Sequence, residues 1–153
     1  MRNRFETFAT AIPELNRSIQ RIKDLEMRRF GLRANHAMCL YYLGTHEEGL
    51  SAVQMTRLCG EDKAAISRCL AQLREKALVT CEVPENKRAY RMRYTLTAEG
   101  QELVKKINMR VEAALFNGGS GMDDAQREVF YRSLEQIREN LALYIREQEE
   151  HYE

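Results

Sequence analysis

The chain has 153 residues, of which 24 are Lys or Arg and 23 are Asp or Glu, for a net charge of +1. That is length enough for a single domain with its own core, and the near balance of charge excludes a polyelectrolyte. The start of the chain lacks the apolar run of a signal peptide and no stretch approaches a membrane span, so the expectation is a cytoplasmic protein with no membrane partner.

Residues 4–30 carry Ile12, Leu15, Ile19, Ile22 and Leu25 at spacings of three and four, with Arg17, Arg21, Lys23 and Glu26 between them. That period predicts a long amphipathic helix, regular from Pro13 onward because proline suits a first turn, and ended by Gly31. A second helix follows over residues 33–43 and stops at Gly44, with Ala37, Leu40 and Tyr41 or Leu43 toward a core. Residues 44–49 read as a loop.

Residues 51–76 are the stretch around which the rest is organised. Ser51 is placed to N-cap a short helix containing Val53, Met55, Leu58 and Cys59, and Gly60 breaks it with a left-handed turn. Asp62 caps the next helix, in which Ile66, Leu70 and Leu73 form one buried stripe. Lys63, Ala64, Ser67, Arg68 and Ala71 fall on the opposite face. Small side chains permit close approach to a major groove, while Arg, Lys and Ser meet phosphates and base edges. The pattern predicts a helix-turn-helix; a helical hairpin with a solvated basic face is the plainer alternative.

Residues 78–83 are rich in β-branched side chains, 84–88 are turn-forming, and Tyr90, Met92, Tyr94 and Leu96 alternate with Arg91 and Arg93. Together they predict a β-hairpin with a basic tip, placed as the wing of a winged helix whose cations reach a neighbouring minor groove or backbone. Thr97 then caps a helix with Leu103, Ile107, Val111 and Leu115 in a stripe and Gly100 at its third position. After a break at residues 117–121, Asp123 or Asp124 caps a last helix carrying Phe130, Leu134, Ile137, Leu141 and Ile145 at helical spacing. A central unit of about 60 residues cannot cover stripes on three long helices, so the terminal helices are expected to bury theirs together and against a second chain. In the alternative they cover the winged unit within a monomer.

Charge is uneven along the chain. Residues 51–96 hold nine Lys or Arg against five Asp or Glu, which leaves 15 against 18 elsewhere, so basic character concentrates where a nucleic-acid footprint would lie. The cysteines, Cys39, Cys59, Cys69 and Cys81, include no C-x-x-C pair, and the three histidines have no pair at helical spacing. Neither a zinc ribbon nor any metal or other cofactor is expected. Cys59 stands where an apolar residue is wanted and reads as a small core hydrophobe. No phosphate-cradling glycine loop or nucleophile–base pair is present, so an enzyme is not expected.

In order and in residues the chain resembles the MarR family of bacterial transcription regulators. The resemblance covers residues 32–115. It rests on Leu50-Ser51 through Met55, on Asp62-Lys63-Ala64-Ala65-Ile66-Ser67-Arg68, on Leu73 to Lys76 with Leu78-Val79, and on Leu96-Thr97-Ala98-Glu99-Gly100, which matches the family's L-T-x-x-G. It implies a mainly α fold with a small β-hairpin wing: a winged helix-turn-helix lobe over residues 32–97, flanked by dimerisation helices over 4–30 and 98–150, in one domain spanning 1–153. It further implies a homodimer on a pseudo-palindromic double-stranded operator, most often a repressor released by a small aromatic or lipophilic ligand, by oxidation or by a metal. The DNA-contacting residues would be Ser51, Lys63, Ala64, Ala65, Ser67, Arg68, Arg74, Lys87, Arg88 and Arg91.

Two positions depart from the family. Asn86-Lys87-Arg88 stands where its wing often has D-x-R, so the carboxylate that would orient the wing arginine is missing and either Arg88 or Arg91 enters the groove. Ala77 stands where glycine is common; a left-handed alanine costs on the order of 1–2 kcal/mol, unless the helix ends differently. A ligand pocket would draw on His36, Cys39, Tyr41 and Tyr42. A redox-responsive regulator acting through Cys39 or Cys69, and a winged-helix module that binds protein instead of DNA, are the competing readings.

Overall fold

The computed structural model describes residues 3–82 and 92–151. Among them lie α1 (Arg4–Arg28), α2 (His36–Thr45), α3 (Ala52–Cys59), α4 (Lys63–Glu75), β1 (Val79–Glu82), β2 (Arg93–Leu96), α5 (Ala98–Gly118) and α6 (Asp124–Glu150). The architecture is therefore mainly α with one small antiparallel hairpin, as the sequence predicts. No helix is long and apolar enough to cross a membrane among the described residues.

Two helix boundaries differ from expectation. α1 runs from Arg4 straight through Pro13. Proline there removes the helical amide partner of the Ala9 carbonyl, and Ala9 is exposed. α2 starts at His36 and continues through Gly44 to Thr45. Gly44 is not a stop: a Cβ at that position would lie 2.8 Å from Cγ1 of Val104, so the missing side chain lets α5 pack against α2.

The helix-turn-helix forms as its punctuation dictates. Ser51 caps α3 in a full capping box: its hydroxyl accepts from the Gln54 amide, and the Gln54 side chain accepts from the Ser51 amide. Gly60, at φ +66°, closes α3 in the left-handed conformation. Asp62 caps α4 by accepting from the Ala65 amide at 2.8 Å. At the far end the Ala77 amide donates to the Arg74 carbonyl and the Leu78 amide to the Leu73 carbonyl, the paired bonds of a Schellman turn. That turn requires a left-handed residue, and Ala77 supplies it at φ +56°. The helix does not end differently; it tolerates the strain.

β1 and β2 pair from Val79↔Leu96 to Glu82↔Arg93, and Leu50 adds a single antiparallel bridge to Tyr94. Thr97 binds the strand exit to the α4 turn: its hydroxyl donates to the Ala77 carbonyl at 2.7 Å and accepts from the Gly100 amide at 3.0 Å. Gly100 sits against Leu78, whose carbonyl oxygen would be 2.1 Å from a Cβ there. The L-T-x-x-G match is thereby explained by a backbone contact that no other residue fits.

The chain divides into two compact units, Met1–Glu112 and Ala113–Glu153. The first contains one apolar core in which Met27, Leu40, Met55, Ile66, Leu70 and Leu73 are almost completely buried. Glu26 on α1 accepts two hydrogen bonds from Arg110 on α5 and pairs with Arg29 at 3.3 Å. The bond from Arg110 holds the Glu26 carboxyl below its ordinary pKa. In the second unit Asp123 and Gln126 form a capping box for α6, and Arg127 donates to the Gly119 and Met122 carbonyls while lying over the Phe116 ring. α6 has no buried residue along its length.

Candidate nucleic-acid interface

α4 divides cleanly. Ile66, Cys69, Leu70 and Leu73 are buried, while Lys63, Ala64, Ser67, Arg68, Ala71 and Arg74 are exposed and Ala65 is half-buried. The buried stripe thus fixes the rotation of the helix and turns its small and basic residues outward. Among the described residues, Lys63, Arg68 and Arg74 form no ion pair with a carboxylate, so their charges are not spent internally. The Asp62 cap leaves the first turn of α4 without an acidic residue. Such a face can approach a polyanion closely and neutralise it.

The remaining expected contact residues divide by position. Ser51 is half-buried, with its hydroxyl oxygen committed to the α3 cap and its hydroxyl proton still free to be donated. Lys87, Arg88 and Arg91 lie outside the described residues. Arg93, which the sequence alternation groups with Arg91, is engaged within the fold. Its guanidinium donates to the carbonyls of Glu48 at 3.3 Å and Gly49 at 3.0 Å, clamping the loop before α3 to the hairpin. Alternation places Arg93 on the outward face, but nothing in the sequence signals that reach across 44 positions.

The four pocket candidates on α2 do not converge. His36 is buried, its Nδ1 accepting from the Arg33 amide at 3.0 Å and its Nε2 lying 2.8 Å from Oε1 of Gln72 on α4. With Nδ1 acting as acceptor, the ring proton is on Nε2 and is donated to Gln72. Burial lowers the His36 pKa, outweighing the Gln72 bond that raises it, and Arg33 and Lys76 lower it further. Cys39 is buried on the same side of α2, 3.9 Å from the Cys59 sulfur. Tyr41 is 48% exposed and meets the half-buried Tyr42 edge to face, with ring centroids 5.3 Å apart. Among the described residues no group of three or more His, Cys, Asp or Glu is arranged to hold a metal ion. Gln72, invisible as a functional position in the sequence, is the residue that joins α2 to the outward-facing helix.

A capped helix pair, a left-handed glycine between its members, a basic outward face and a following hairpin define a winged helix-turn-helix protein. Solved MarR family structures share this fold over nearly the whole chain. A MarR transcriptional regulator from Methanosarcina mazei Go1 superposes with a TM-score of 0.80 at 24% identity, covering 92% of this chain and 99% of that one. The Staphylococcus aureus MepR–DNA complex gives 0.78 at 18% identity, with 91% and 99% covered. A putative MarR family regulator from Listeria monocytogenes complexed with 26mer DNA gives 0.76 at 20% identity, with 96% of each chain covered. No protein-family model matches the sequence, and no curated protein matches it. The likeness is one of fold: this chain has the MarR winged-helix architecture.

Proposed function

We propose that the protein is a MarR-type, sequence-specific DNA-binding transcription regulator that works as a homodimer. The observation that carries this reading is the outward face of α4, where Lys63, Ala64, Ser67 and Arg68 are exposed on a helix whose rotation is fixed by its buried stripe. Two of the structures that share the fold hold DNA, which supports the same assignment here. α4 enters the major groove with Ala64 and Ala65 allowing close approach and Ser67 and Arg68 reading base edges. Ser51, Lys63 and Arg74 meet phosphates, and Lys87, Arg88 and Arg91 form the basic wing.

The dimer is supported by the terminal helices. Leu15, Ile19 and Leu25 of α1 and Leu141 and Ile145 of α6 are about half exposed, a continuous apolar burden on each helix that water disfavours. A second copy covers these stripes and doubles the recognition helix, which matches a pseudo-palindromic operator. Release from the operator by a small aromatic or lipophilic ligand, making the protein a repressor, follows the family resemblance.

Fluorescence anisotropy on the protein's own upstream DNA and on a scrambled fragment, across a salt series, tests the reading. Preference for the upstream fragment, with affinity falling steeply as salt rises, is the expected result. Arg68→Ala is expected to weaken operator binding by about 1–3 kcal/mol and to leave non-specific binding less affected. Equal operator affinity in parent and Arg68→Ala would overturn the groove assignment, and no binding at low salt would favour a protein-binding module.

A further inference from the structure

The first turn of α2 is stitched to α4 by two bonds. The Cys69 thiol donates to the Asn35 carbonyl at 3.7 Å, and the buried His36 ring lies 2.8 Å from Oε1 of Gln72. The Arg33 amide donates to Nδ1 of His36 at 3.0 Å, so the turn before α2 is tied to α4 through the imidazole. Three polar side chains are gathered along this edge. Arg33 is exposed before α2, and Lys76 is exposed at the end of α4, where its amide donates to the Gln72 carbonyl one turn back at 3.2 Å. Gln72 is half-buried where the two helices meet. The bonds also fix which end of its amide is free. Nδ1 of His36 is an acceptor, so Nε2 carries the ring proton and the Gln72 oxygen receives it. The NH2 end of Gln72 is turned away from the imidazole, and its N–H groups make no bond among the described residues.

Charge is left unmatched along the same edge. Of the basic residues between α1 and α2, Arg28 pairs with Asp24 at 2.7 Å and Arg29 with Glu26 at 3.3 Å. Arg33 has no carboxylate partner among the described residues, and neither has Lys76, although Glu75 is its neighbour in sequence. Both cations are near enough to His36 to oppose its protonation, so they approach one imidazole from different elements. Like charges gathered without an acid repel each other, and a polyanion relieves that repulsion.

We infer that Arg33, Gln72 and Lys76 form a phosphate-binding edge that holds the DNA backbone beside the groove α4 enters. Arg33 and Lys76 neutralise phosphates, and the Gln72 NH2 donates to a phosphate oxygen. The inference rests on the DNA-binding reading of α4 and extends its footprint onto the turn before α2. Phosphate is the target because of where Gln72 lies. Arg68, one turn earlier, is fully outward, whereas Gln72 is drawn back against α2, and a helix lying in a groove meets backbone along its flanks.

The test measures binding of full-length variants to the upstream and scrambled DNA fragments across a salt series. Arg33→Ala and Lys76→Ala are each expected to weaken binding to both fragments by the same factor and to leave the preference for the upstream fragment intact. Each should also flatten the slope of log affinity against log salt by about 0.9 per phosphate contact removed. Gln72→Glu keeps an oxygen for the His36 proton but sets a carboxylate oxygen where the NH2 stood, and should weaken binding to both fragments about tenfold or more. Should Gln72→Glu fail to fold, the two alanine variants, which trim exposed side chains, still decide. Arg28→Ala changes the net charge as Arg33→Ala does but removes a cation already paired with Asp24, and is expected to keep the parental slope. Parental slopes in Arg33→Ala and Lys76→Ala, an equal slope change in Arg28→Ala, or a loss confined to the upstream fragment would each overturn the inference while the regulator reading stands. A parent that binds neither fragment overturns that reading, and the phosphate edge with it.

Discussion

α4 and α6 carry the same kind of apolar repeat and meet opposite fates. α4, with 13 residues, buries four of them against the rest of the first unit. α6, with 27 residues and a longer stripe, buries none, and Leu141 is 49% exposed. A helical period announces that one face seeks cover; it does not say which surface supplies it. Where the cover is short-range in the chain, as for α4 between α2, α3 and β1, a single subunit provides it. For α6 the cover is the proposed second copy.

The contrast can be broken most directly at one leucine on each helix. Leu73→Ala opens the core, where Leu73 is 0% exposed, and is expected to cost about 2–5 kcal/mol in denaturant unfolding. Leu141→Ala should instead act on association, raising the dimer dissociation constant in sedimentation experiments by about tenfold or more. If the parent sediments as a monomer at all concentrations, the α6 stripe has some other partner and the homodimer falls. Gly100→Ala is next in size: with the Leu78 carbonyl 2.1 Å from the new Cβ, α5 must move off the hairpin, at about 1–3 kcal/mol of stability. Thermal unfolding unchanged by that substitution would mean α5 is more loosely seated than the contact implies.

Ala77→Gly runs the other way. At φ +56° the alanine is strained, and glycine should raise stability by on the order of 1 kcal/mol, less what it loses to a more flexible unfolded chain. A destabilised Ala77→Gly variant would show that the turn is not strained. The smallest effect is a pH slope. His36 is neutral in the folded chain with its pKa lowered, so the unfolded chain binds the proton first as pH falls. Stability from this site is complete above the unfolded value near 6.5 and declines below it toward the folded pKa. His36→Gln should flatten that part of the stability–pH curve; an unaltered curve would assign the slope to other groups.

Much of the fold is legible locally. Ser51, Gly60 and Asp62 act within a few residues of themselves, as does Thr97 in capping α5, and each does in the structure what its position predicts. Gly44 and Pro13 both read as local punctuation, whereas Gly44 answers to Val104, some 60 positions away, and Pro13 lies exposed inside a helix that continues through it. Arg93 reads with the wing cations and is held by the Glu48 and Gly49 carbonyls.

The sequence by itself determined the helix and hairpin order, the caps, and which face of α4 turns outward, because these follow from periodicity and from side chains bonding their own neighbouring backbone. Tertiary structure alone decided that His36 locks onto Gln72, that Gly100 must lack a side chain, and that Cys39 faces Cys59. Those are meetings of residues 20 or more positions apart, set by how helices pack, and no local pattern encodes them.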